Sequence, residues 1–395
     1  MAPETLSLNE NSNLTPAPTV AVIGAGVAGA ACAAGLHRAG LSVRLFEKSR
    51  GCGGRMSTRR VVWPTDGVAV GATSGGRGVQ TGMAPHAGAG TGMVEFDHGA
   101  QGFTALHPRF RRVMARAQAA GAAACWAPRV HASWQAPYDA RSWVAVPHMP
   151  ALCRHLLGEL PVRTHQTVIR LQRREDAWWV TSGEGQTDGP FDQVVLAIPP
   201  AQAAALLVGH HDAWSAALAA VPMESCWTLM AVTDDVDWPW DAAEPSCGPL
   251  AWVARNDRKP GRTAPPGCAV WVAQATSAWS AAHLEDSPLA VAGALQEALR
   301  GLLPPAPSDR PPLRWHHVDV HRWRYAIPGA LPLASVLAGA LTAAGDESWW
   351  NAALGLGVCG DFLGGGVEAA WRSGDELADT MAACLEEALQ PAMVV

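Results

Sequence analysis

The sequence predicts an α/β protein of two domains, a doubly wound parallel-sheet domain interrupted by an inserted domain of β-sheet plus helices. Three observations predict it. Between Thr19 and Phe46 a short apolar strand runs into a glycine-rich turn, an alanine-rich helix and a second strand. Apolar strands return at 162–168 and 191–198, and a last strand delivering Asp361 leads into a helix reaching about Leu389. Between them, from 201 to 312, helices alternate with longer apolar strands. The 395 residues, 49% apolar and 16% charged, suffice for two well-buried domains.

The first strand, Val20–Ile23, runs straight into Gly24, Gly26 and Gly29, the G-x-G-x-x-G spacing of a dinucleotide loop. Gly24 permits the tight turn, Gly26 lets backbone approach a diphosphate, and Gly29 lets the next helix pack on the strand. That helix, Val27–Ala39, ends at Gly40, and its amino end favours negative charge. The strand Ser42–Phe46 delivers Glu47, 18 positions beyond Gly29, where an acid accepts hydrogen bonds from a ribose diol. Glu47 disfavours a 2′-phosphate there. The order of parts describes a Rossmann-type nucleotide domain; the alternative is a tight strand-to-helix turn that binds nothing.

Composition excludes several classes. With a net charge of −6 and no sustained basic run, neither nucleic acid nor an anionic membrane is an expected partner. The nine cysteines include no C-x-x-C pair and are odd in number, which reads as reduced thiols in a cytoplasmic protein without a zinc site. The apolar run 20–36 lacks preceding Lys or Arg and is broken by glycines, so it is neither signal peptide nor membrane span. Residues 1–18 read as a disordered leader.

In chain order, the glycine-rich stretch 61–94 reads as an inserted surface loop, or alternatively a lid. Helices are expected at Pro108–Ala124, Cys153–Leu160, Ala201–Leu207, Ala213–Ala219 and Leu289–Leu303. Strands are expected at Cys226–Thr233, Leu250–Arg255 and Ala269–Thr276. The dense tryptophans read as core packing, or alternatively as the aromatic wall of a pocket. The chain thus divides into the leader, nucleotide-domain segments 19–107, 151–200 and 317–395, and second-domain segments 108–150 and 201–316.

Several runs carry a resemblance. Gly51-Cys52-Gly53-Gly54-Arg55-Met56 resembles the GGR motif of the FAD-binding flavoprotein amine oxidase superfamily. GGRMSTRR together with FDHGAQGFTA, and later HRWRYA, resemble renalase-like flavoproteins, a branch of it. The resemblance implies noncovalent FAD in a domain of the glutathione-reductase and p-hydroxybenzoate-hydroxylase type. It implies contacts from Gly24, Gly26, Gly29, Glu47, Lys48, Gly54, Arg55, Met56, Val168, Asp361, Gly366 and Val367. Cys359 precedes Asp361 on its strand, and no SGGC-like segment offers a covalent link.

The implied activity is oxidation of 2- and 6-dihydro isomers of NAD(P) to NAD(P)+, with oxygen as acceptor reduced to hydrogen peroxide. Oxidation of a small amine is the alternative, and a redox-silent scaffold of the same fold a second one. The superfamily's amine oxidases use a lysine near flavin N(5), whereas this chain has only Lys48 and Lys259, neither well placed by sequence. No catalytic residue is certain, and Asn256, Gln274, Arg322 and Tyr325 are candidates for the small-molecule pocket. Arg322 and Arg324 have two open readings, a negatively charged substrate or acids across the domain junction. Three positions depart from the pattern: His98 for an apolar residue, His148 for glycine, and Gln274 for histidine. His98 reads as a surface or satisfied histidine rather than a catalytic one.

Overall fold

The structure is a computed structural model that describes residues 17–64, 91–131, 142–235, 238–303, 312–328 and 348–389. Strand β1 (Thr19–Ile23) is almost wholly buried because helix α1 (Val27–Arg38) covers one of its faces. Helix α1 is apolar nearly all round, as a helix packed on more than one side must be. At its end Gly40 takes φ +88°, a value L side chains rarely adopt, and donates to the His37 carbonyl at 3.0 Å. Strand β2 (Ser42–Phe46) lies parallel to β1 in the register Thr19 opposite Ser42 through Ile23 opposite Phe46.

The 61–94 loop expectation is corrected at both ends. Strands β3 (Arg59–Pro64) and β4 (Thr91–Phe96) pair antiparallel; 65–90 lie outside the described residues. Val61, Trp63, Val94 and Phe96 alternate onto one face, which packs on Met230, Val232, Val270 and Val272. The glycine content of the intervening text hid this hairpin.

Residues 103–145 form strand β5 (Phe103–Thr104), helix α2 (Pro108–Ala119), strand β6 (Ala123–Cys125) and strand β7 (Ser142–Ala145). The sequence reading gives 108–150 to the second domain. Phe110, Met114 and Ala117 instead share a core with α1 and the C-terminal helix, and Phe110 stands 5.2 Å from Trp371. The helix also stops earlier than Ala124, because Gly121 takes φ +70° and β6 begins at Ala123.

Helix α3 (Ala151–Leu157) leads to strand β8 (Val162–Arg163), which pairs with β2. The expected strand 162–168 is therefore split. Val168 opens β9 (Val168–Arg174), which forms a separate antiparallel sheet with β10 (Ala177–Ser182) and β11 (Thr187–Phe191). The stretch 191–198 likewise divides, with Phe191 closing β11 and β12 (Gln193–Leu196) inserted parallel beside β1.

After helices α4 (Pro200–Leu207) and α5 (Asp212–Ala219) the chain builds the second sheet. Its strands are β13 (Met223–Asp234), β14 (Ala242–Ala243), β15 (Leu250–Arg255), β16 (Cys268–Ala275) and β17 (Trp315–Pro328), in the spatial order β14-β15-β16-β13-β17. Helices α6 (Ser277–Ala282) and α7 (Pro288–Leu302) sit between β16 and β17 in sequence. Val291, Leu295 and Leu299 of α7 recur every fourth residue and cover the sheet face bearing Leu229, Ala231 and Trp271. Trp238 and Trp240 pack against Trp271 at 5.5 and 5.4 Å, so these tryptophans are core.

Strand β17 carries a further correction. The sequence reading returns the chain to the nucleotide domain at 317, but β17 pairs with β13 from Trp315 opposite Thr233 to Pro328 opposite Met223. The return comes at β18 (Trp349–Asn351) and β19 (Leu356–Val358). Among the described residues the nucleotide sheet then reads β18-β19-β12-β1-β2-β8, parallel except for β18. Helix α8 (Gly366–Leu389) ends the fold by lying along α1. No helix among the described residues is long and apolar enough to cross a membrane.

Candidate active site

Four segments converge at the carboxyl ends of β1, β2 and β19, where an open α/β sheet places its ligands. At the first turn Gly24 takes φ +102°, and a Cβ there would lie 2.4 Å from the Ala197 carbonyl oxygen. A Cβ on Gly29 would lie 1.9 Å from the Gly24 oxygen, so the helix start is pressed onto the strand end. Gly26, which caps α1, differs. A Cβ on it would meet nothing within 4 Å, so this backbone faces open space in front of the helix N–H groups.

The second turn, Gly54–Met56, approaches the first. Gly54 takes φ +53°, and its Cβ would stand 3.3 Å from the Gly26 Cα. Glu47 is buried at the end of β2 and receives the Ala25 N–H on Oε2 at 2.9 Å and the Ser49 N–H on Oε1 at 2.8 Å. A carboxylate has about four lone-pair sites, so acceptor capacity remains for ligand hydroxyls. Lys48 is exposed beside it, and Val168 lies two residues beyond Gln166, whose N–H reaches the Glu47 carbonyl.

Arg55 links three elements. Its Nη2 donates to Asp361 Oδ1 at 2.5 Å, its Nη1 to the Ala326 carbonyl at 3.1 Å, and its own carbonyl receives the Ala100 N–H. Met56, next to it, is buried in the core under α1. Asp361 accepts on its backbone oxygen from Gly364 and Gly365, and Gly365 and Gly366 take φ +76° and +78° where α8 begins. Those glycines are exposed at the head of the helix, and Val367 behind them packs on the core. A helix head, two glycine turns with open backbone, a ribose-reaching acid and an Arg–Asp pair suit a dinucleotide laid across the sheet. Bound FAD would have its diphosphate at Gly24, Gly26, Gly29 and Gly54, a ribose at Glu47, and its ring towards Asp361 and Gly366. Cys359 is fully buried against Cys32, whose thiol that contact and burial push well up.

The second domain meets this cleft through the turn 97–101. A Cβ on Gly99 would stand 1.9 Å from the Arg55 carbonyl oxygen, so the turn is seated on the glycine turn. Gln274 donates from Nε2 to the Gly99 carbonyl at 2.8 Å. Asn256 is buried, donates to the Glu95 carbonyl at 2.9 Å, and accepts the Asp97 N–H. These two candidates are thus brought to the turn. Arg322 and Tyr325 are not. Arg322 donates to the Leu284 carbonyl and Glu285 and lies over Trp227, Arg324 also holds Glu285, and Tyr325 is exposed. The acid these arginines pair with, Glu285, lies in the second domain with them and not across the domain junction.

Sequence reasoning missed the charged cluster beneath the turn. Arg262 donates to Asp97 Oδ2 from Nε at 3.0 Å and Nη2 at 2.8 Å, and Lys259 Nζ lies 3.6 Å from the same oxygen. Lys259 also donates to Gln101 Oε1 at 3.0 Å and stands over Trp126. Burial pushes the Lys259 ammonium down to about 8, against the pull of Asp97. Burial raises Asp97, but Lys259 and Arg262 more than offset it and hold the carboxyl below its usual range. The signal was the RNDRKPGR run, dense in charge within a chain poor in it.

His98 is neither a surface nor a satisfied histidine. It is 7% exposed, its ring stacks on Trp323 at 5.1 Å and stands edge-on to His321 at 4.7 Å. Nε2 comes within 3.4 Å of Ser57 Oγ, whereas Nδ1 is buried without a hydrogen-bond partner. Such an orphan costs about 1–3 kcal/mol. Burial, with His321 and Arg59 nearby, pushes its imidazole down to about 3. His148 is half-buried beside Arg154 and Arg60, and burial with those charges lowers it. No group of three or more His, Cys, Asp or Glu disposed to hold a metal occurs among the described residues.

Known proteins agree with this geometry. Residues 22–117 match an NAD(P)-binding Rossmann-like domain, and residues 140–382 match the flavin-containing amine oxidoreductase family. In fold the chain is similar to cyclohexylamine oxidase from Brevibacterium oxydans, at 13% identity, covering 94% of this chain and 100% of that one, TM-score 0.63. It is also similar to putrescine oxidase, at 14% identity over 93% of this chain and 100% of that one, TM-score 0.52. In sequence, 206 residues, 46% of the chain, are 28% identical to the tRNA 5-methylaminomethyl-2-thiouridine biosynthesis bifunctional protein MnmC of Magnetococcus marinus, of whose length the match spans 30%. With the family match running across 140–382, more than half of the chain, and the FAD cleft built as described, the chain belongs to the flavin-containing amine oxidoreductase family.

Proposed function

We propose that this FAD-dependent oxidoreductase removes hydride from a carbon bonded to nitrogen in a small donor, and that the donor is a 2- or 6-dihydro isomer of NAD(P). The product is NAD(P)+, and oxygen takes the two electrons and the proton of the hydride together with one solvent proton to give hydrogen peroxide. Bound FAD supplies the two-electron acceptor. The chain's own part is to hold the donor on the sheet face beside the Gly99–Gln101 turn, to exclude water, and to keep charges there fixed.

One observation carries the choice of donor. Lys48 is exposed beside Glu47, and Lys259, the only other lysine in the chain, is held by Gln101 and Asp97. Neither is free to hold a water or take a proton at the junction. A dihydropyridine already carries a transferable hydride and asks for positioning alone, a role assigned to Gln274 and the turn, with Asn256 holding the turn from behind. Cofactor contact is assigned to Gly24, Gly26, Gly29, Glu47, Lys48, Gly54, Arg55, Met56 and Val168 and to Asp361, Gly366 and Val367, and donor contact to the face of the five-stranded sheet turned towards Gly99.

A second reading, a small amine as donor, is favoured by the likeness in fold to cyclohexylamine and putrescine oxidases. Anaerobic mixing of the holoenzyme separates the two. Loss of the flavin absorbance on adding 6-dihydroNAD, with none on adding cyclohexylamine or putrescine, is the expected outcome. The reverse pattern overturns the dihydronicotinamide reading in favour of the amine.

A further inference from the structure

Strand β3 turns alternate residues to opposite sides. Val61 and Trp63 enter the core against the second sheet, and Arg60, on the other face, is left 45% exposed. Arg60 donates from Nε to Glu95 Oε1 at 2.6 Å, and its Nη2 turns to His148, 3.1 Å from Nε2. Arg154, exposed on α3, brings its own Nη2 to the same His148 nitrogen. Two guanidiniums from separate elements thus converge on one half-buried imidazole. A neutral ring nitrogen offers a single lone pair, so it accepts from one of them and leaves the other's N–H without an acceptor there. Among the described residues Arg154 pairs with no carboxylate, and Glu95, held by Arg60, is the acid that bears on the ring. The cluster stands at the outer side of the second glycine turn. A Cβ on Gly53 would lie 3.1 Å from the Pro150 Cβ, and Arg154 is close enough to bear on the Cys52 thiol. Unlike Lys259 and Arg262, which Asp97 and Gln101 engage, these cations are open to solvent.

Guanidinium forks that converge without a balancing carboxylate are a means of holding phosphate-type anions. We propose that Arg60, His148 and Arg154 form a binding site for a phosphate-type dianion, free or at the end of an organic phosphate, taken up together with a proton on His148. Without the anion the ring is a neutral acceptor. Burial lowers its affinity for a proton, then Arg154, Arg60 and the nearby Arg262 add to the fall, and Glu95 opposes it. A dianion between the two forks reverses that local field. The guanidiniums turn from the ring to the anion, and the ring, once protonated, becomes a third donor beside them. Three donors from three elements match the three oxygens of a phosphoryl group. Two guanidiniums and an imidazolium then balance the dianion and Glu95. His148 stands where the resembled pattern carries glycine, so the titrating member of the site is this chain's own departure. The site does not depend on the choice of hydride donor.

The test uses the FAD-loaded enzyme, so that the cofactor's own diphosphate site is filled. Sulfate is the first probe, because it stays a dianion across the range in which histidine titrates, and binding is followed by calorimetry at low ionic strength. The expected dissociation constant is about 1 mM near pH 6, and affinity falls about tenfold on going to about pH 8 as the proton is lost. Arg154→Gln, at an exposed position, should weaken sulfate about tenfold. His148→Gln, which keeps an acceptor but no titrating group, should bind sulfate equally at both pH values; His148→Gly takes its place if that variant does not fold. Inorganic phosphate and AMP then separate the sources of the ligand. Equal affinities assign free phosphate and a tenfold advantage of about that size for AMP assigns a nucleotide, and either upholds the site when Arg154→Gln removes it. Absence of saturable sulfate binding, a change of less than about twofold in Arg154→Gln, or a pH dependence that survives in His148→Gln overturns the proposal.

Discussion

Arg55 Nη2 and Asp361 Oδ1 meet at 2.5 Å across 306 positions of sequence, joining the glycine turn after β2 to the loop that heads α8. Since Arg55 also holds the Ala326 carbonyl at the end of β17, one guanidinium ties both ends of the nucleotide domain to the second sheet. Arg55→Ala would leave Asp361, a largely buried acid, without its cation. FAD affinity should fall about tenfold or more, with Arg55→Lys recovering part of it because lysine lacks the two-pronged reach. Fluorescence titration of the apoprotein with FAD checks this, and an unchanged dissociation constant in Arg55→Ala would show the pair to be dispensable.

Helix α8 presses on α1 at two glycines. A Cβ on Gly374 would stand 2.1 Å from the Ala28 carbonyl oxygen, and one on Gly35 2.5 Å from the Ala378 Cβ. The first clash is with backbone, which cannot swing aside. Gly374→Ala should therefore cost about 1–3 kcal/mol and, because Ala28 lies in the first turn of α1, weaken FAD as well. Urea unfolding of the apoprotein gives the first figure; retention of the wild-type midpoint would mean the helices separate without penalty.

The nucleotide half was legible because its chemistry is local. Gly24, Gly26, Gly29, Gly40 and Glu47 announce a turn, a helix end and an acid within one short stretch, and the bounds of β2 emerge as read. The second half was legible as strands but not as partners. Nothing local in His317–Arg324 says that β17 pairs with β13 rather than returning to the first sheet. The hairpin β3–β4 was hidden because its two strands flank a glycine-rich stretch, and α2 was misassigned because its apolar stripe does not name the core it enters. At the site, Asn256 was found as a polar residue just past a strand end, and Gln274 as a departure from the resembled pattern. Asp97, Lys259 and Arg262 were overlooked because their meaning lies in a contact across about 160 positions.

Lys259 is the sharpest consequence of that contact. Lys259→Met removes the donor to Gln101 and one of two cations on Asp97, while Arg262 stays at 2.8 Å. The expected cost is about 2–3 kcal/mol, below the loss of a sole partner in a buried pair. If Lys259 instead held a water at the reacting carbon, the variant would keep its stability and lose kcat alone. Chemical denaturation and steady-state kinetics on the same preparation tell these apart.

The buried histidines give the fold a pH dependence whose sign is fixed. His98 is pushed to about 3 by burial, then by His321 and Arg59, and His317 and His321 to about 4 by burial and then by Arg59. Their unfolded values lie near 6.5, so between about 6.5 and 4 the unfolded chain binds more protons than the folded one. Stability is then fully present above about pH 6.5 and is lost as pH falls, each histidine adding up to about 1.4 kcal/mol per pH unit. Asp319 opposes this, since burial raises its carboxyl and its protonation relieves the folded state. Urea midpoints measured at pH 7, 6 and 5 (about one unit apart) should therefore decline with increasing steepness. His317→Asn, which removes one of the three without touching the cofactor turn, should flatten the decline. A wild-type stability that holds level from pH 7 to 5 would mean that these rings take up protons in the native state, and the neutral character assigned to the junction would not stand.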